Sequence, residues 1–165
     1  MSELTMEEAR RALEKTAATL LGQLLFEFAR LDVALGLCVV WTDEGRRLEE
    51  LTKQVAEFSF HKKLDCLKQV VEQFLAQGSE GRAAYTQWME HAHDARFMRN
   101  KLVHGRWGVD PIQQQVINVV GLPTSPDQNE TRYSIQDLEK VLDDLKYLQV
   151  TFSELRNRWP IRAAG

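Results

Sequence analysis

Cysteine is scarce in this 165-residue chain: the two thiols, Cys38 and Cys66, both fall inside apolar-patterned helical segments. That excludes a disulfide framework, and with no paired cysteine spacing a zinc module is excluded as well. Long hydrophobic runs are missing too. The longest, "VALGLCVVW" from Val33 to Trp41, is less than half of the roughly 20 residues a spanning helix needs. The start, "MSELTMEEARR", has neither the basic opening nor the apolar core of a secretory signal. These absences together point to a cytoplasmic protein with no membrane partner. Nor is there a glycine-rich phosphate loop after a strand, a Gly-x-Ser-x-Gly elbow, or a cysteine with an evident catalytic partner, so the common nucleotide-binding and acyl-transfer classes have no foothold. Excess positive charge is also lacking. A net charge of −3 and a pI near 5.8 exclude a protein that coats nucleic acid by bulk electrostatics.

What is present is an ordinary globular mixture, 44% hydrophobic and 27% charged, in a length that suits one core. A single domain over residues 1–165 is expected. Leu13, Ala17, Leu20, Leu24, Phe28, Leu31, Leu35 and Cys38 recur at steps of three and four, which predicts one long helix from about Thr5 to Trp41 with a single buried seam. Gly22 and Gly36 weaken that helix and are expected at close helix contacts or a bend. "TDEG" turns the chain. Leu48, Leu51, Val55 and Phe58 predict a second helix. Leu64, Leu67, Val71, Phe74 and Leu75 predict a third, with Ser59 as its N-cap.

A fourth helix starts after "AQGSEG", carries Tyr85, Trp88, Met89, Ala92, Ala95, Phe97, Met98, Leu102 and Val103, and is expected to close at Gly105 in the left-handed conformation. Beyond "GRWGVDP" the pattern changes: "QQQVINVVG" is short and β-branched, and "ETRYS" pairs with it as a hairpin. Ser134 and Asp137 then read as the start of a last helix bearing Leu138, Val141, Leu142, Leu145, Leu148, Phe152 and Leu155. The expected class is mainly α: an antiparallel helical bundle of about five helices with a small β-hairpin before the last helix.

The fourth helix ends in "ARFMRNKLVHGRWG". Arg96, Arg99, Lys101 and Arg106 lie there without one acidic residue, a local basic stripe on an acidic chain. On an ideal helix Asn100 and His104 are neighbours on one face, whereas Arg99 lies about 140° from His104. One helix therefore does not focus guanidinium and imidazole on one small atom. Long reach by the arginine, distortion at the glycine-terminated end, or a second copy of the helix across a twofold interface brings them to one ligand; a cleft between two protomers is expected, because a twofold sets the same patch opposite itself.

Arg99-Asn100-Lys101-Leu102-Val103-His104 resembles the Arg-polar-x(3–5)-His signature of the HEPN superfamily, small helical proteins that include metal-independent ribonucleases serving as toxins of toxin–antitoxin or abortive-infection systems. The resemblance extends to the helix count, the motif position after a long N-terminal helix, the glycine after the histidine and the closing helix. It implies a HEPN-like domain, a homodimer, RNA as substrate, an antitoxin protein as a further partner, and no cofactor or metal. Under it, His104 is the general base toward a ribose 2′-hydroxyl, since an imidazole titrates near neutral pH. Arg99 holds the scissile phosphate through paired hydrogen bonds, and Asn100 orients the histidine or the phosphate. The product is a 2′,3′-cyclic phosphate end.

Lys101, Arg106 and Arg96 are expected to add phosphate contacts, and Trp107 to stack on an exposed base. Glu27 and Asp32, polar residues on the first helix, are candidates to orient Arg99. The alternative is a non-catalytic module that binds RNA, a nucleotide or a protein partner with the same surface, a reading the acidic net charge suits. "HAHD" invites a metal, but His91 and His93 are about 200° apart on a helix, unlike the i, i+4 pairs that chelate from one face.

Overall fold

The computed structural model describes residues 3–161, with side chains from Thr5 onward. Five α-helices and a three-stranded antiparallel sheet follow one another: α1 (Glu3–Val40), a 3-10 turn (Trp41–Asp43), α2 (Leu48–Ala56), α3 (Phe60–Phe74), α4 (Glu80–His104), β1 (Arg106–Asp110), β2 (Gln115–Val120), β3 (Asn129–Tyr133) and α5 (Ile135–Arg158). The described residues are 71% helical, so the fold is mainly α, with its sheet placed before the last helix. Among the described residues no helix is long and apolar enough to cross a membrane.

The helices form where apolar residues repeat at helical spacing. All eight α1 seam residues from Leu13 to Cys38 are buried, as are Leu138, Leu142, Leu145, Leu148, Phe152 and Leu155 of α5. Ser59 caps α3, its hydroxyl accepting from Lys62 N at 3.2 Å. The Ser134–Asp137 pair forms a reciprocal capping box at α5: Asp137 N donates to Ser134 Oγ at 3.0 Å and Ser134 N donates to Asp137 Oδ2 at 2.7 Å. Those bonds hold the Asp137 carboxyl below the usual carboxylate range. Gly45 takes φ +82° at the turn after α1 and Gly78 takes φ +77° before α4.

The chain divides into two compact units that draw on α1, α4 and α5 alike: Met1–Glu27 with Phe97–Leu145, and Phe28–Arg96 with Lys146–Gly165. The second unit is helical. Trp88 of α4 stacks on Phe152 of α5 with centroids 4.3 Å apart, and its indole N–H donates to Leu148 O at 2.9 Å. Tyr85 Oη donates to Trp159 O at 3.1 Å. Phe28 of α1 packs on Phe60 of α3, and Lys63 Nζ, nearly buried, donates to Asp32 Oδ2 at 2.8 Å beside Gly36.

The first unit joins the start of α1 and the end of α4 to the sheet and the start of α5. Strand order is β1-β2-β3, with Trp107 opposite Asn118 and Asn118 opposite Thr131. The sheet has one strand more than the expected hairpin. β1, "RWGVD", carries Gly108 and ends in Asp110, so its sequence lacks β-branched alternation. Pairing with β2 and a turn in which Asp110 Oδ1 accepts from Ile112 N and Gln113 N, both at 3.0 Å, make it a strand nonetheless.

Candidate functional site

The motif occupies the last turns of α4, and its surroundings are set by how that helix ends. A helix leaves its final carbonyls without intrahelical donors. A left-handed glycine is one remedy, but Gly105 is not among the positive-φ residues, so the expected left-handed closure is not what ends α4. The sheet reaches two of these carbonyls, Lys101 O and Leu102 O. Gly105 N donates to Lys101 O at 2.8 Å, and the same oxygen accepts from Asn118 Nδ2 at 3.3 Å. Trp107 Nε1 donates to Leu102 O at 3.4 Å.

Glycine is still required at 105, for a different reason. A Cβ there would overlap the Asn118 amide nitrogen and lie 2.6 Å from Lys101 O. Asn118 is wholly buried, and its Oδ1 has no hydrogen-bond partner among the described residues. A half-satisfied buried amide of this kind costs about 1–3 kcal/mol.

The three motif side chains stand clear of this packing. Asn100 and His104 are exposed and Arg99 is half-buried. Among the described residues none of the three makes a side-chain hydrogen bond or ion pair. With α4 regular through His104, Asn100 and His104 share a face, and Arg99 lies about 140° around the helix from His104. Two apolar side chains flank Asn100 on the same exposed arc, Phe97 at 57% and Val103 at 48% accessibility, too exposed to serve as core.

The flanking candidates are differently disposed. Lys101 is turned toward the sheet, its Nζ 3.5 Å from Thr131 Oγ1 and 3.4 Å from Tyr133 Oη. Trp107 is half-buried, its ring tilted against Tyr133 at 6.0 Å while its N–H caps Leu102. Arg106 is exposed on β1 and donates to Gln128 Oε1 at 2.6 Å. Arg96 is half-buried on α4 and belongs to the second unit. Glu27 is half-buried on α1 in the first unit, and Asp32 is engaged by Lys63. Of all the expected site residues, then, Arg99, Asn100 and His104 are the ones with uncommitted polar ends on one helix terminus. Asn118 was not singled out by the sequence. Its signal is a polar residue in the β-branched run "QVINVV", on the same strand face as buried Val116.

The two histidines of "HAHD" diverge as helix geometry requires. His91 lines a cleft of about 280 Å³ with Trp88 and Tyr147. His93 faces α3, its ring 5.5 Å from that of His61. Burial, then Arg96 and His61, pushes the His93 imidazole below its usual range. Among the described residues no group of three or more His, Cys, Asp or Glu side chains is arranged to hold a metal ion. Burial holds the Cys38 thiol protonated, pushed up to about 11. Compared with protein-family models, with curated proteins and with solved structures, the chain has no match.

Proposed function

We propose that the end of α4 is the reactive half of a metal-independent endoribonuclease, completed by a second copy of the chain. One observation carries the reading. A guanidinium, a carboxamide and an imidazole sit at a helix terminus with no intramolecular partner among the described residues, on an arc that also exposes Phe97 and Val103. Polar groups bound for structural ion pairs are normally engaged, as Asp32 and Lys63 are here. Because Arg99 and His104 diverge on their own helix, a shared cleft needs the arginine of one copy beside the histidine of the other.

The chemistry follows from the side chains. His104 takes the proton of a ribose 2′-hydroxyl, whose oxygen bonds to the adjacent phosphorus. The P–O5′ bond breaks, and the departing oxygen takes up a proton to leave a 5′-hydroxyl and a 2′,3′-cyclic phosphate. Arg99 stabilises the charge that grows on the non-bridging oxygens, and Asn100 orients phosphate or imidazole. The proposed setting is a cytoplasmic toxin or defence protein held in check by an antitoxin.

The test is incubation of the purified protein with RNA in EDTA. Cleavage that survives chelation and falls at least about 100-fold in both Arg99→Ala and His104→Ala is the expected result, in line with loss of a general base or an oxyanion donor. Activity unchanged in those variants ends the reading. A second reading has its own support. Lys101 and Trp107 are turned toward protein groups and the net charge is −3, which favours a non-catalytic module that binds RNA, a nucleotide or a protein partner. Binding without product, weakened by the same substitutions, identifies it.

A further inference from the structure

The feature of the first unit that the ribonuclease reading does not use is Asn118. It is the one fully buried residue of the sheet with a polar side chain, and its amide is only half satisfied: Nδ2 donates to Lys101 O at 3.3 Å while Oδ1 has no partner among the described residues. An apolar residue of similar size would fill that space without stranding an oxygen. The polar group is therefore to be explained by what its N–H does, and that bond falls on the turn that carries His104.

The oxygen it reaches, Lys101 O, is also the acceptor for Gly105 N at 2.8 Å. That bond closes the last helical ring, residues 101–105, and His104 is the fourth of its five residues. Gly105 meets the Asn118 amide so closely that a methyl group has no room between them. Trp107 Nε1 holds the next carbonyl, Leu102 O, at 3.4 Å. Helix ends ordinarily fray through their last turn. Here a β2 side chain bears on that turn from one side and a β1 side chain ties the adjacent carbonyl, while the imidazole projects from the exposed side.

We infer that Asn118 is a positioning residue for His104: its carboxamide clamps the last turn of α4 to the sheet and so fixes the angle at which the imidazole is presented. The clamp stands on the geometry alone, and its consequence for turnover rests on the ribonuclease reading above. Asn118 touches no substrate; it acts through the backbone of residues 101–105. Its loss frees the turn to fray, which lowers the fraction of molecules with the imidazole in line without removing any substrate contact. The change therefore falls on kcat rather than on KM.

The experiment uses the full-length chain in four forms: wild type, Asn118→Ala, Trp107→Phe and Val116→Ala. Trp107→Phe keeps an aromatic, though smaller, ring but removes the N–H that holds Leu102 O, and supplies the test if Asn118→Ala fails to fold. Val116→Ala is the packing control, buried on the same face of β2 but without a bond to α4. Three quantities are read: hydrogen exchange at the Gly105 amide, the carbon-bound imidazole signals of His104 by NMR, and kcat and KM for RNA cleavage in EDTA. In Asn118→Ala and Trp107→Phe, Gly105 exchange is expected to rise about tenfold, as for a terminus that opens locally. The His104 signals shift, and kcat falls about tenfold with KM within about twofold. Val116→Ala leaves exchange at Gly105 and the His104 signals near wild type. Gly105 exchange and His104 signals that match wild type in both folded clamp variants overturn the inference, as does an equal change in Val116→Ala. If the wild-type protein cleaves no RNA, the ribonuclease reading fails, while the exchange and NMR readouts still decide whether Asn118 holds the turn.

Discussion

Gly22 and Gly105 lie at opposite ends of what a glycine can mean. Gly105 is fixed by a neighbour: the Asn118 amide occupies the space a Cβ would need. Gly22 is fixed by nothing, because a Cβ built there meets no atom within 4 Å although it sits inside α1. The close contact expected at Gly22 is therefore absent among the described residues, and its hydrogen in place of a methyl group raises the entropy of the unfolded chain. Gly22→Ala is expected to stabilise the protein by about 0.5–1 kcal/mol, a rise of about 1–4 °C in Tm read by calorimetry or circular dichroism. The sequence reads Gly22 as a weak point within a helix and Gly105 as a helix stop, and for neither does it carry the distance to a residue on another element. The same holds for Asp32 and Lys63, which meet at 2.8 Å across 31 positions of sequence. A lone aspartate on a helix reads as a solvated or site-directed charge until the lysine that neutralises it is located. Asn118 is inconspicuous in the sequence for a related reason: a single asparagine among valines signals an irregularity but not its partner.

At the scale of elements, the helices are legible because α1, α3 and α5 bury one stripe written in steps of three and four, while α2 buries only Val55 and α4 leaves Phe97 and Val103 of its stripe exposed. Their starts were legible as well, since capping is local: Ser59 and Ser134 lie within three residues of the amides they satisfy. The end of α4 is legible in place but not in mechanism, since Trp107 and Asn118 reach the Leu102 and Lys101 carbonyls and Gly105 is not left-handed. β1 was missed because strand pairing is non-local, and "RWGVD" has little strand preference of its own.

The packing of α3 on α4 has a testable consequence in pH. His93 faces His61 across that contact, and Asp65 of α3 with Asp94 and Arg96 of α4 complete the nearby charges. Burial, Arg96 and His61 together outweigh the two aspartates and lower the folded-state pKa of His93 below its unfolded value. The unfolded chain then binds more protons between those two values, so stability is full above about pH 6.5 and declines as pH falls through the folded-state pKa. Denaturation midpoints should drop as pH falls below about 6.5 in the wild type and change less in His93→Gln. This window is separate from that of the paired carboxylates. Glu7, pushed down to about 2 by hydrogen bonds from Arg10 and Arg11, and Asp137 in its capping box give up their contribution only in more acidic solution. An equal slope in His93→Gln would assign the pH dependence elsewhere.

At the scale of the whole molecule, the proposed function depends on an assembly. Arg99 and His104 diverge by about 140° on one helix, so a single chain offers the two groups to different directions. The proposed groove brings two α4 ends together, and the apolar side chains that would be covered there are Phe97 and Val103. Replacing both by glutamate puts like charges at a self-complementary contact. The double variant is expected to sediment as a monomer and to lose RNA cleavage, while its circular dichroism stays that of the wild type. A wild-type protein that sediments as a monomer at working concentration would leave Arg99 and His104 without a common target.

The sequence alone determined that this chain is mainly helical, where its helices run, which seams they bury, and that a basic stripe ends in Arg99, Asn100 and His104. Those properties are periodic or local, and the physics behind them acts over one helical turn. Tertiary structure alone decided which polar groups remain uncommitted. Lys101, Trp107 and Asp32 are drawn into contacts with residues distant in the chain, and the end of α4 is held by a β-strand residue that no helical pattern announces. Burial and hydrogen-bond satisfaction are properties of a place in three dimensions, and a residue's neighbours there come from any part of the chain.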